Sequence, residues 1–243
     1  MASFGPVAQH YDLLMAKVPY RMWVGYHQLL LAQQGLSPER MLDVCCGTGT
    51  IAQMLAREGR SVVGIDLSAA MIDEARRKAE GKGLNVRYEV ADASNFELGE
   101  QFDAAYSFFD SLNYITEPER IESAIMHVAH HLERGGSFIF DLNTAFAFEE
   151  KMFDQKDLRQ KAPIQYRWRG DYDSRTRLIQ VHMDFWRGGE HFTECHVQRA
   201  HTDEEIREWL KRAGFEFVRC YDSYTLDPPR AASDRVHYTA LLA

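Results

Sequence analysis

The chain has 243 residues, of which 45% are hydrophobic and 26% are charged, the usage of an ordinary globular protein. That composition excludes a disordered chain, a collagen and a coiled coil, and the length suits one domain, with or without an elaboration. The formal net charge of -8 leaves no basic footprint for a run of phosphates. We therefore expect no nucleic-acid partner.

The apolar runs of the chain are short. The run at residues 29–32 falls far short of the roughly 20 residues that a membrane-spanning helix requires, so we expect no membrane partner. The first residues lack a basic region followed by an apolar stretch, which predicts no secretory signal and a cytoplasmic location. The four cysteines are expected to be reduced thiols, and without a C-x-x-C pair we expect no metal site.

The first helical pattern runs from about residue 20 to residue 34, where apolar residues recur on one face until Gly35 and Pro38 end it. Apolar runs then alternate with helical stretches, which is the rhythm of a parallel sheet covered on both faces. These runs, each predicted to be a strand, lie at residues 41–45, 62–65, 86–90, 102–109 and 138–140.

The helices between these strands have recognisable boundaries. One is expected to begin at Thr50, and a second follows Ser68, which is a good N-cap residue. A third begins near Pro118, which suits a first helical turn, and we expect Gly135 and Gly136 to end it.

After about residue 143 the rhythm changes to three strand-like runs, at residues 164–169, 176–186 and 191–201, joined by turn-forming D-Y-D-S and R-G-G-E. Consecutive strands with tight turns predict an antiparallel insertion. A capping box, T-D-E-E, then opens a helix at residues 203–212. Two further strands, near residues 215–221 and 236–241, are predicted to complete the main sheet with antiparallel pairing.

The stretch at residues 41–50 places a glycine-rich turn directly between the first strand and the helix that follows it. Gly47 and Gly49 lack a Cβ atom, so a ligand can lie against bare backbone. Asp66 ends the second strand, where a carboxylate can take both ribose hydroxyls of a nucleoside. The turn holds no basic residue to meet a diphosphate, and Asp43 would repel one. A nucleoside with a cationic tail is therefore the expected ligand.

Five successive segments resemble the motifs of the class I S-adenosylmethionine (SAM) dependent methyltransferases, in the family's order, over roughly residues 38–141. They read D-V-C-C-G-T-G, V-V-G-I-D-L-S-A-A-M, V-A-D-A, F-D-A-A-Y-S-F-F-D-S-L-N-Y and H-L-E-R-G-G-S-F-I-F-D. Three more, Y-D-L-L, P-Y-R-M-W and H-F-T-E-C-H, resemble a narrower bacterial group of small-molecule N-methyltransferases of the amino-sugar and glycine type.

The resemblance implies an α/β, Rossmann-like fold: a seven-stranded, mostly parallel sheet with antiparallel C-terminal strands and the antiparallel insertion as a lid. We expect one SAM-dependent methyltransferase domain over residues 1–243. Within it, a helical cap is expected at residues 1–37 and the lid at about residues 155–200.

The resemblance also implies SAM as the cofactor and names the residues around it. The glycine turn and Asp43 would surround the methionine end, and Asp66 would bind the ribose. Cys45 stands where the family usually has glycine or alanine. The residues implied to contact the cofactor are Tyr11, Tyr20, Asp43, Cys45, Gly47, Gly49, Asp66, Leu67, Met71, Asp92, Ala93 and Phe109.

Methyl transfer asks little of side chains, because a sulfonium methyl group is already activated and the acceptor lone pair has only to be held close and aligned. An amine acceptor must arrive neutral, so a carboxylate or an imidazole could assist its deprotonation. The catalytic candidates are Asp110, Tyr114 and His196. A structural role stays open for each. Asp110 could cap backbone amides, Tyr114 could pack against its neighbours, and His196 could lie with Glu194 and Gln198 on a solvated sheet face.

The expected function is methyl transfer from SAM to a small-molecule acceptor, at an amine nitrogen. Two alternatives stay open. The first is an NAD-dependent oxidoreductase, because such enzymes also have a glycine turn and a carboxylate that binds ribose. The second is a non-catalytic sensor, which would bind SAM without transferring its methyl group. Tyr166 and Trp168 share one strand face that could cover the substrate, pack on the core or meet a second subunit, so a homodimer stays open as well.

Overall fold

The computed structural model describes residues 4, 5 and 7–243. The strands of its main sheet are β1 Arg40–Val44, β2 Ser61–Asp66, β3 Val86–Val90, β4 Phe102–Ser107, β5 Leu132–Asn143, β10 Phe215–Asp222 and β11 Arg235–Leu242. They lie in the order β10-β11-β5-β4-β1-β2-β3. Strands β1 to β5 run parallel, whereas β11 is antiparallel to both β5 and β10, so the predicted topology is confirmed.

Helices cover both faces of this sheet, which is why its central strands are apolar on both sides. Leu42, Val44 and Phe138 pack on one layer, and Met41 and Ile139 pack on the other. The helices are α1 Tyr11–Leu14, α2 Tyr20–Gln33, α3 Thr50–Arg57, α4 Ala69–Ala79, α5 Pro118–His130, α6 Ala145–Glu149 and α7 Asp203–Arg212. Helices α5 and α7 form the first layer, and α2, α3 and α4 form the second.

Two helix starts follow the predicted capping chemistry. The Ser68 hydroxyl accepts a hydrogen bond from the Met71 amide at the start of α4. At the start of α7, the Thr202 hydroxyl accepts from the Glu205 amide, and the Glu205 carboxylate accepts from the Thr202 amide. Each bond satisfies an amide that lacks a partner within its helix, so both helices begin where the sequence predicts.

The expected role of Gly135 and Gly136 as a helix stop is wrong. Helix α5 ends at His130, and both glycines lie inside β5. Gly135 has φ +78°, and a Cβ atom on Gly136 would lie 2.8 Å from the carbonyl oxygen of Glu133. The glycines therefore permit an irregularity in the pairing of β4 with β5.

The residues after β5 build a second, antiparallel sheet in the order β6-β7-β8-β9. Its strands are β6 Gln155–Asp157, β7 Gln165–Asp173, β8 Leu178–Arg187 and β9 Glu190–Arg199. The turn at Gly188 and Gly189 is confirmed, and both residues have the positive φ of a tight hairpin. The D-Y-D-S turn is wrong by a few residues: Asp173 still belongs to β7 and the turn falls at residues 174–177. Strand β6 was not predicted.

This second sheet packs over the carboxyl ends of the main strands. The Asn113 side-chain amide, which follows β4, donates to the carbonyl oxygens of Asn143 in β5 and Arg199 in β9, at 3.1 and 2.8 Å. We refer to the sheet β6–β9 as the lid. The division of the chain into a cap, a core and this lid within one domain stays a prediction, and residues 1–3 and 6 of the predicted cap lie outside the described part.

None of the described helices combines the length and the apolar character that crossing a membrane would demand.

His27 in α2 offers a test of how the core responds to acid. The side chain has no exposed surface, neither ring nitrogen has a hydrogen-bond partner within the described residues, and burial lowers the pKa of His27 to about 3. Between pH 7 and pH 5 the unfolded chain takes up a proton that the folded chain excludes, which costs about 2 kcal/mol of unfolding free energy. We expect His27→Leu to lose that much less stability over the same interval, measured by urea unfolding at both pH values.

The matched control is His182→Leu, because His182 is an exposed histidine on β8. Its change in unfolding free energy between the two pH values should equal that of the unmodified chain. A His27→Leu protein with the same pH dependence as the unmodified chain would show that His27 is protonated in the folded state.

Candidate active site

The candidate site lies where β4, β1, β2 and β3 end side by side. The chain runs outward from β1 to β2 on one side and returns to β4 on the other, so a crevice opens at the carboxyl end of β1. The glycine turn follows β1, Asp66 ends β2, Asp92 comes two residues after β3, and Phe109 comes two residues after β4. The topology therefore brings the predicted residues to one edge.

Three residues of the glycine turn have left-handed backbone conformations, with φ +62° at Cys45, +55° at Gly47 and +69° at Gly49. The Gly47 amide donates to Oδ2 of Asp66 at 2.9 Å, and the Ser68 amide donates to Oδ1 at 2.8 Å. The Asp66 carboxylate thereby fixes the turn to the end of β2, and each oxygen keeps a lone pair for a further donor. Cys45 adopts a conformation that a non-glycine residue rarely takes, at the position where the resemblance leads one to expect glycine or alanine.

Gly49 has a second reason to be glycine. An added Cβ atom would lie 2.3 Å from the hydroxyl oxygen of Tyr88, whose ring is buried in β3. We expect Gly49→Ala to cost about 1–3 kcal/mol of unfolding free energy beyond the cost of a left-handed alanine, because the ring or the turn must move. Urea unfolding measures this loss.

Gly83→Ala is the matched control, since Gly83 also has a positive φ, of +63°, but an added Cβ there has no atom of the described, non-neighbouring residues within 4 Å. It carries the backbone strain without the collision. If both substitutions cost the same, the packing of Tyr88 against the turn does not constrain this position.

The floor of the crevice is acidic and buried. Asp43 in β1 is 4% exposed, and burial, reinforced by the nearby Asp66, raises its pKa well above the usual range. Burial also raises the pKa of Asp66, against the opposing hydrogen bonds from Ser68 and Gly47. A cation bound in the crevice would favour the charged form of both carboxyls, whereas a diphosphate would oppose it. The crevice thus suits a positively charged ligand.

Leu67 and Met71 differ in exposure although both were predicted to contact an adenine ring. The Leu67 side chain is 62% exposed immediately after Asp66, so it offers an apolar surface at the crevice. Met71 is 2% exposed and belongs to the buried face of α4. The Leu67 side chain is therefore accessible to a ligand, whereas Met71 is covered by the protein.

Asp92 is engaged by its neighbours. Its Oδ1 accepts hydrogen bonds from the amide and the hydroxyl of Ser94, at 2.9 and 2.7 Å, and its Oδ2 accepts from the Arg120 guanidinium of α5 at 2.5 Å. Although partial burial opposes them, these contacts lower the pKa of Asp92. Ala93, the next residue, is buried in the layer that includes α5.

The predicted strand at residues 102–109 ends early, at Ser107, because the chain turns sharply. Phe109 and Asp110 have φ +67° and +50°, and their amides donate to the two carboxylate oxygens of Asp141 at 2.7 and 3.1 Å. Asp141 is a fully buried residue of β5. This carboxylate holds a strained turn directly after the carboxyl end of β4.

Asp110 is held on both sides. Its Oδ1 accepts from the Arg235 guanidinium of β11, and its Oδ2 accepts from the Gln198 side-chain amide of β9, each at 2.7 Å. The residue is 8% exposed. Because Asp110 bonds Arg235 of the main sheet and Gln198 of the lid, it joins the lid to the main sheet.

Tyr114 and His196 form a buried hydrogen-bonded group with Glu194. The Tyr114 hydroxyl lies 3.0 Å from Nδ1 of His196, and Nε2 of His196 lies 2.6 Å from Oε2 of Glu194. The side chains of His196 and Glu194 are only 2% and 7% exposed. The solvated sheet face that stayed open for His196, Glu194 and Gln198 is therefore wrong: these residues of β9 lie on the inner face of the lid, against the residues that follow β4.

Tyr11 begins α1 and lies among the strand ends. Burial raises the pKa of Tyr11 well above its usual value, and the neighbouring Tyr20, Tyr114, Asp110 and Asp66 raise it further. These residues come from the cap, the turn after β4 and the end of β2. The structure thus places Tyr11 of α1 beside residues of the crevice, with Tyr20 of α2 as its neighbour.

Three comparisons identify the chain. A model of the methyltransferase domain matches residues 41–136. The Bacillus subtilis (strain 168) protein YqeM, which is named as a methyltransferase, is 32% identical over 239 residues, or 96% of this chain and 94% of that protein. The crystal structure of a SAM-dependent methyltransferase from Clostridium acetobutylicum ATCC 824 is 27% identical with a TM-score of 0.86, and the match covers 100% of each chain.

The chain belongs to the SAM-dependent methyltransferases. A further relative, 28% identical over 182 residues (72% of this chain and 74% of that protein), is the dTDP-3-amino-3,4,6-trideoxy-alpha-D-glucopyranose N,N-dimethyltransferase of Streptomyces venezuelae. Of the functions left open by the sequence, this membership favours methyl transfer over the oxidoreductase and over the non-catalytic sensor.

The crevice of this methyltransferase fits its cofactor. The backbone at Gly47 is open: apart from its chain neighbours, no atom of the described residues lies within 4 Å of an added Cβ, so a ligand can lie against it. The neighbouring Asp66 carboxylate can take ribose hydroxyls, and the acidic floor can face a sulfonium. These features come from three separate positions at one edge of the sheet.

Lys78 is a residue near the glycine turn that the sequence did not reveal. Its ammonium donates to the hydroxyls of Thr48 and Thr50, at 3.1 and 2.8 Å, and forms an ion pair with Asp12 of α1. Asp12 in turn accepts from the Thr48 hydroxyl at 2.6 Å. Lys78 lies 28 residues beyond the turn, so only the folded chain brings it there. The pair fastens the cap to the glycine turn and to α4.

Proposed function

We propose that this methyltransferase transfers the methyl group of SAM to an amine nitrogen of a small-molecule acceptor. The observation that carries the proposal is the buried contact of Tyr114, His196 and Glu194 beside the crevice. An amine is protonated in water near neutral pH and attacks only through its free lone pair, so a site that methylates amines benefits from a group that takes a proton.

The proposed relay uses the hydrogen bonds already present. With Nε2–H donating to Glu194, Nδ1 of His196 is free to accept from the Tyr114 hydroxyl. The acceptor's ammonium passes one proton to the Tyr114 oxygen, while Tyr114 passes its own proton to Nδ1 of His196. Burial raises the pKa of Tyr114, so the phenol stays protonated before and after the exchange. The amine becomes neutral, and the positive charge moves to the imidazole, where Glu194 stabilises it.

The cofactor supplies the activated methyl group, and the residues of the chain hold and orient it. Asp66 takes the ribose, Leu67 with Met71 lies along the adenine, and the glycine turn faces the methionine end. Asp110, paired with Arg235, is proposed as a residue that positions the turn after β4. The proposed cofactor set is Tyr11, Tyr20, Asp43, Cys45, Gly47, Gly49, Asp66, Leu67, Met71, Asp92, Ala93 and Phe109.

A nitrogen acceptor also agrees with one relative. The Streptomyces venezuelae protein is named for methylating an amino sugar on nitrogen, and its match covers 72% of this chain. Aromatic and carboxylate side chains around Tyr11 suit a small amine that carries a positive charge until the relay neutralises it. The acceptor class proposed here is therefore a small amine, with amino sugars among the first to test.

The test is methyl transfer to paired acceptors. A panel of small amines, amino sugars and nucleotide-linked amino sugars included, is incubated with SAM, and each amine is paired with the alcohol that replaces its nitrogen by oxygen. Formation of S-adenosylhomocysteine is measured for each. Transfer to at least one amine, with its paired alcohol inert, is the expected result. Transfer to the alcohols at equal or greater rates, or to no member of a broad amine panel, would contradict the proposal.

A further inference from the structure

We propose that Glu194 is a positioning residue that couples closure of the N-terminal segment over the crevice to the orientation of His196. The N-terminal segment is defined here as Phe4, Gly5 and residues 7–10. The inference deepens the proposed function and rests on it, because orientation of His196 matters only if His196 takes the proton of the acceptor.

Glu194 is the point where the lid, the imidazole and the segment meet. Its Oε2 accepts from Nε2 of His196 at 2.6 Å and from the Phe4 amide at 3.2 Å. Its Oε1 accepts from the Val7 amide at 2.9 Å. Of the three donors that the described residues supply to this carboxylate, two thus come from a segment nearly 190 residues away in sequence.

The segment lies across the crevice. The Phe4 carbonyl oxygen accepts from the Ser68 hydroxyl at the start of α4, at 3.4 Å, while the Phe4 amide contacts Glu194 on β9. Phe4 therefore bridges the end of β2, where the ribose site is proposed, and the lid. In the proposed closure, these contacts open when a ligand such as SAM enters or leaves this part of the crevice and form again once it is bound.

The same residue shields the relay. The Phe4 ring centroid lies 4.5 Å from that of His196 and 5.3 Å from that of Tyr114. With the segment in place, the donors that the described residues supply to Glu194 are Nε2 of His196 and the amides of Phe4 and Val7. The side chains of His196 and Glu194 are then largely shielded from water. With the segment lifted, the carboxylate and the imidazole face solvent, and water can replace each of these bonds. The closed segment is thus the state in which Nε2–H is fixed and Nδ1 is left for Tyr114.

Within the described residues, Tyr114 and Glu194 are the titratable groups in hydrogen-bond contact with His196. Its partner across the lid sheet is Val181 of β8, which does not titrate. Asp110, in the turn that precedes Tyr114, is not bonded to the imidazole and forms an ion pair with Arg235, which it shares with Asp141. The charge that acts most directly on the imidazole is therefore that of Glu194.

The first measurement follows His196 itself, in the full chain saturated with S-adenosylhomocysteine. Histidine-labelled protein is titrated by NMR, and the His196 signal is assigned by its loss in His196→Gln. In Glu194→Gln the side-chain amide cannot accept from Phe4, Val7 and His196 together, and it carries no charge. We expect the pH midpoint of the His196 signal to fall by about one unit or more. Glu190→Gln, an exposed change on the same strand, should leave it in place.

The second measurement follows closure, as the dissociation rate of S-adenosylhomocysteine by stopped-flow fluorescence. Glu194→Gln is expected to speed release several-fold, because two backbone amides of the segment lose their acceptor. Asp12→Asn loosens the cap at its other anchor, on Lys78 and Thr48, and is expected to speed release without moving the His196 midpoint. Only Glu194→Gln should change both quantities.

A Glu194→Gln protein that shifts the midpoint but releases the ligand at the normal rate would overturn the coupling, and so would one that changes neither. Both measurements are made without an acceptor. If they give the expected results while the amine panel fails, the coupling stands and the proposed acceptor class falls. If the panel shows methyl transfer to an amine and Glu194→Gln changes neither the His196 midpoint nor the release rate, the proposed function stands without this coupling.

Discussion

Replacing Asp66 with alanine is expected to weaken SAM binding by about 1.5–3 kcal/mol, or roughly 10- to 150-fold, because hydrogen bonds to a charged acceptor are lost. The carboxylate is held in place by the amides of Gly47 and Ser68, at 2.9 and 2.8 Å, so its free lone pairs have a fixed direction. Titration calorimetry with SAM and with S-adenosylhomocysteine measures the loss. Both ligands carry the same ribose and should be affected equally.

The controls separate ligand contact from loss of the turn. Asp66→Asn keeps one oxygen that can accept and should give an intermediate loss. Asp73→Ala removes a carboxylate of α4 whose side chain is 77% exposed, and it should bind SAM normally. Unfolding in urea reports whether the glycine turn is destabilised by the loss of its partner. Normal affinity in a folded Asp66→Ala protein would remove Asp66 from the ribose site.

The fold could be predicted wherever local pattern and capping chemistry act together. Helix α7 spans residues 203–212 as predicted, because Thr202 and Glu205 satisfy each other's amides without help from the rest of the chain. The alternation of apolar runs and helices gave the parallel part of the sheet for a similar reason, since each unit buries its own apolar face. Local rules decide such elements.

The elements that were missed depend on contacts made after folding. Strand β6 has three residues and is mostly exposed, so no hydrophobic periodicity predicts it. It is a strand because it pairs with β7. Gly135 and Gly136 look like a helix stop, but their freedom is used by the irregular pairing of β4 with β5. The end of β4 at Ser107 is set by Asp141, whose carboxylate accepts hydrogen bonds from the amides of Phe109 and Asp110.

The cofactor side of the site was easier to predict than the acceptor side. Asp66 and the glycine turn are separated by one strand and one helix, and their spacing reflects a local βαβ unit. Glu194 and Lys78, by contrast, reach the crevice from β9 and from the last turn of α4. The alternation of Glu194, His196 and Gln198 on one strand face was visible in the sequence. What it could not show was that this face turns inward, because that depends on how the lid packs on the turn after β4.

The two sides of the crevice differ in how their charges are balanced. On the cofactor side, Asp43 and Asp66 are buried without a cationic side chain bonded to them within the described residues, and burial raises the pKa of both. On the acceptor side, Asp110 and Asp141 share the Arg235 guanidinium. A cationic ligand is thus favoured beside Asp43 and Asp66, whereas Asp110 and Asp141 already have a cationic partner. The positive charge of a sulfonium fits the side that lacks one.

His196→Gln is expected to lower kcat for an amine acceptor by about 100-fold or more, while SAM affinity stays within about twofold, since general base assistance contributes at that scale. Glutamine keeps a polar side chain of similar length but takes no proton. Tyr114→Phe keeps the ring and removes the hydroxyl that joins the acceptor to Nδ1, at 3.0 Å from it. Its loss of kcat should be similar, because both substitutions interrupt one path.

The double variant distinguishes a relay from two independent contributions. If Tyr114 and His196 act in series, the double variant is no slower than the worse single variant, whereas separate effects would multiply. His130→Gln, on the exposed end of α5, is the control and should keep the normal kcat. A His196→Gln enzyme within about threefold of normal would mean that alignment of the acceptor, rather than removal of its proton, limits the reaction. The buried group of Tyr114, His196 and Glu194 would then serve to hold the lid against the main sheet.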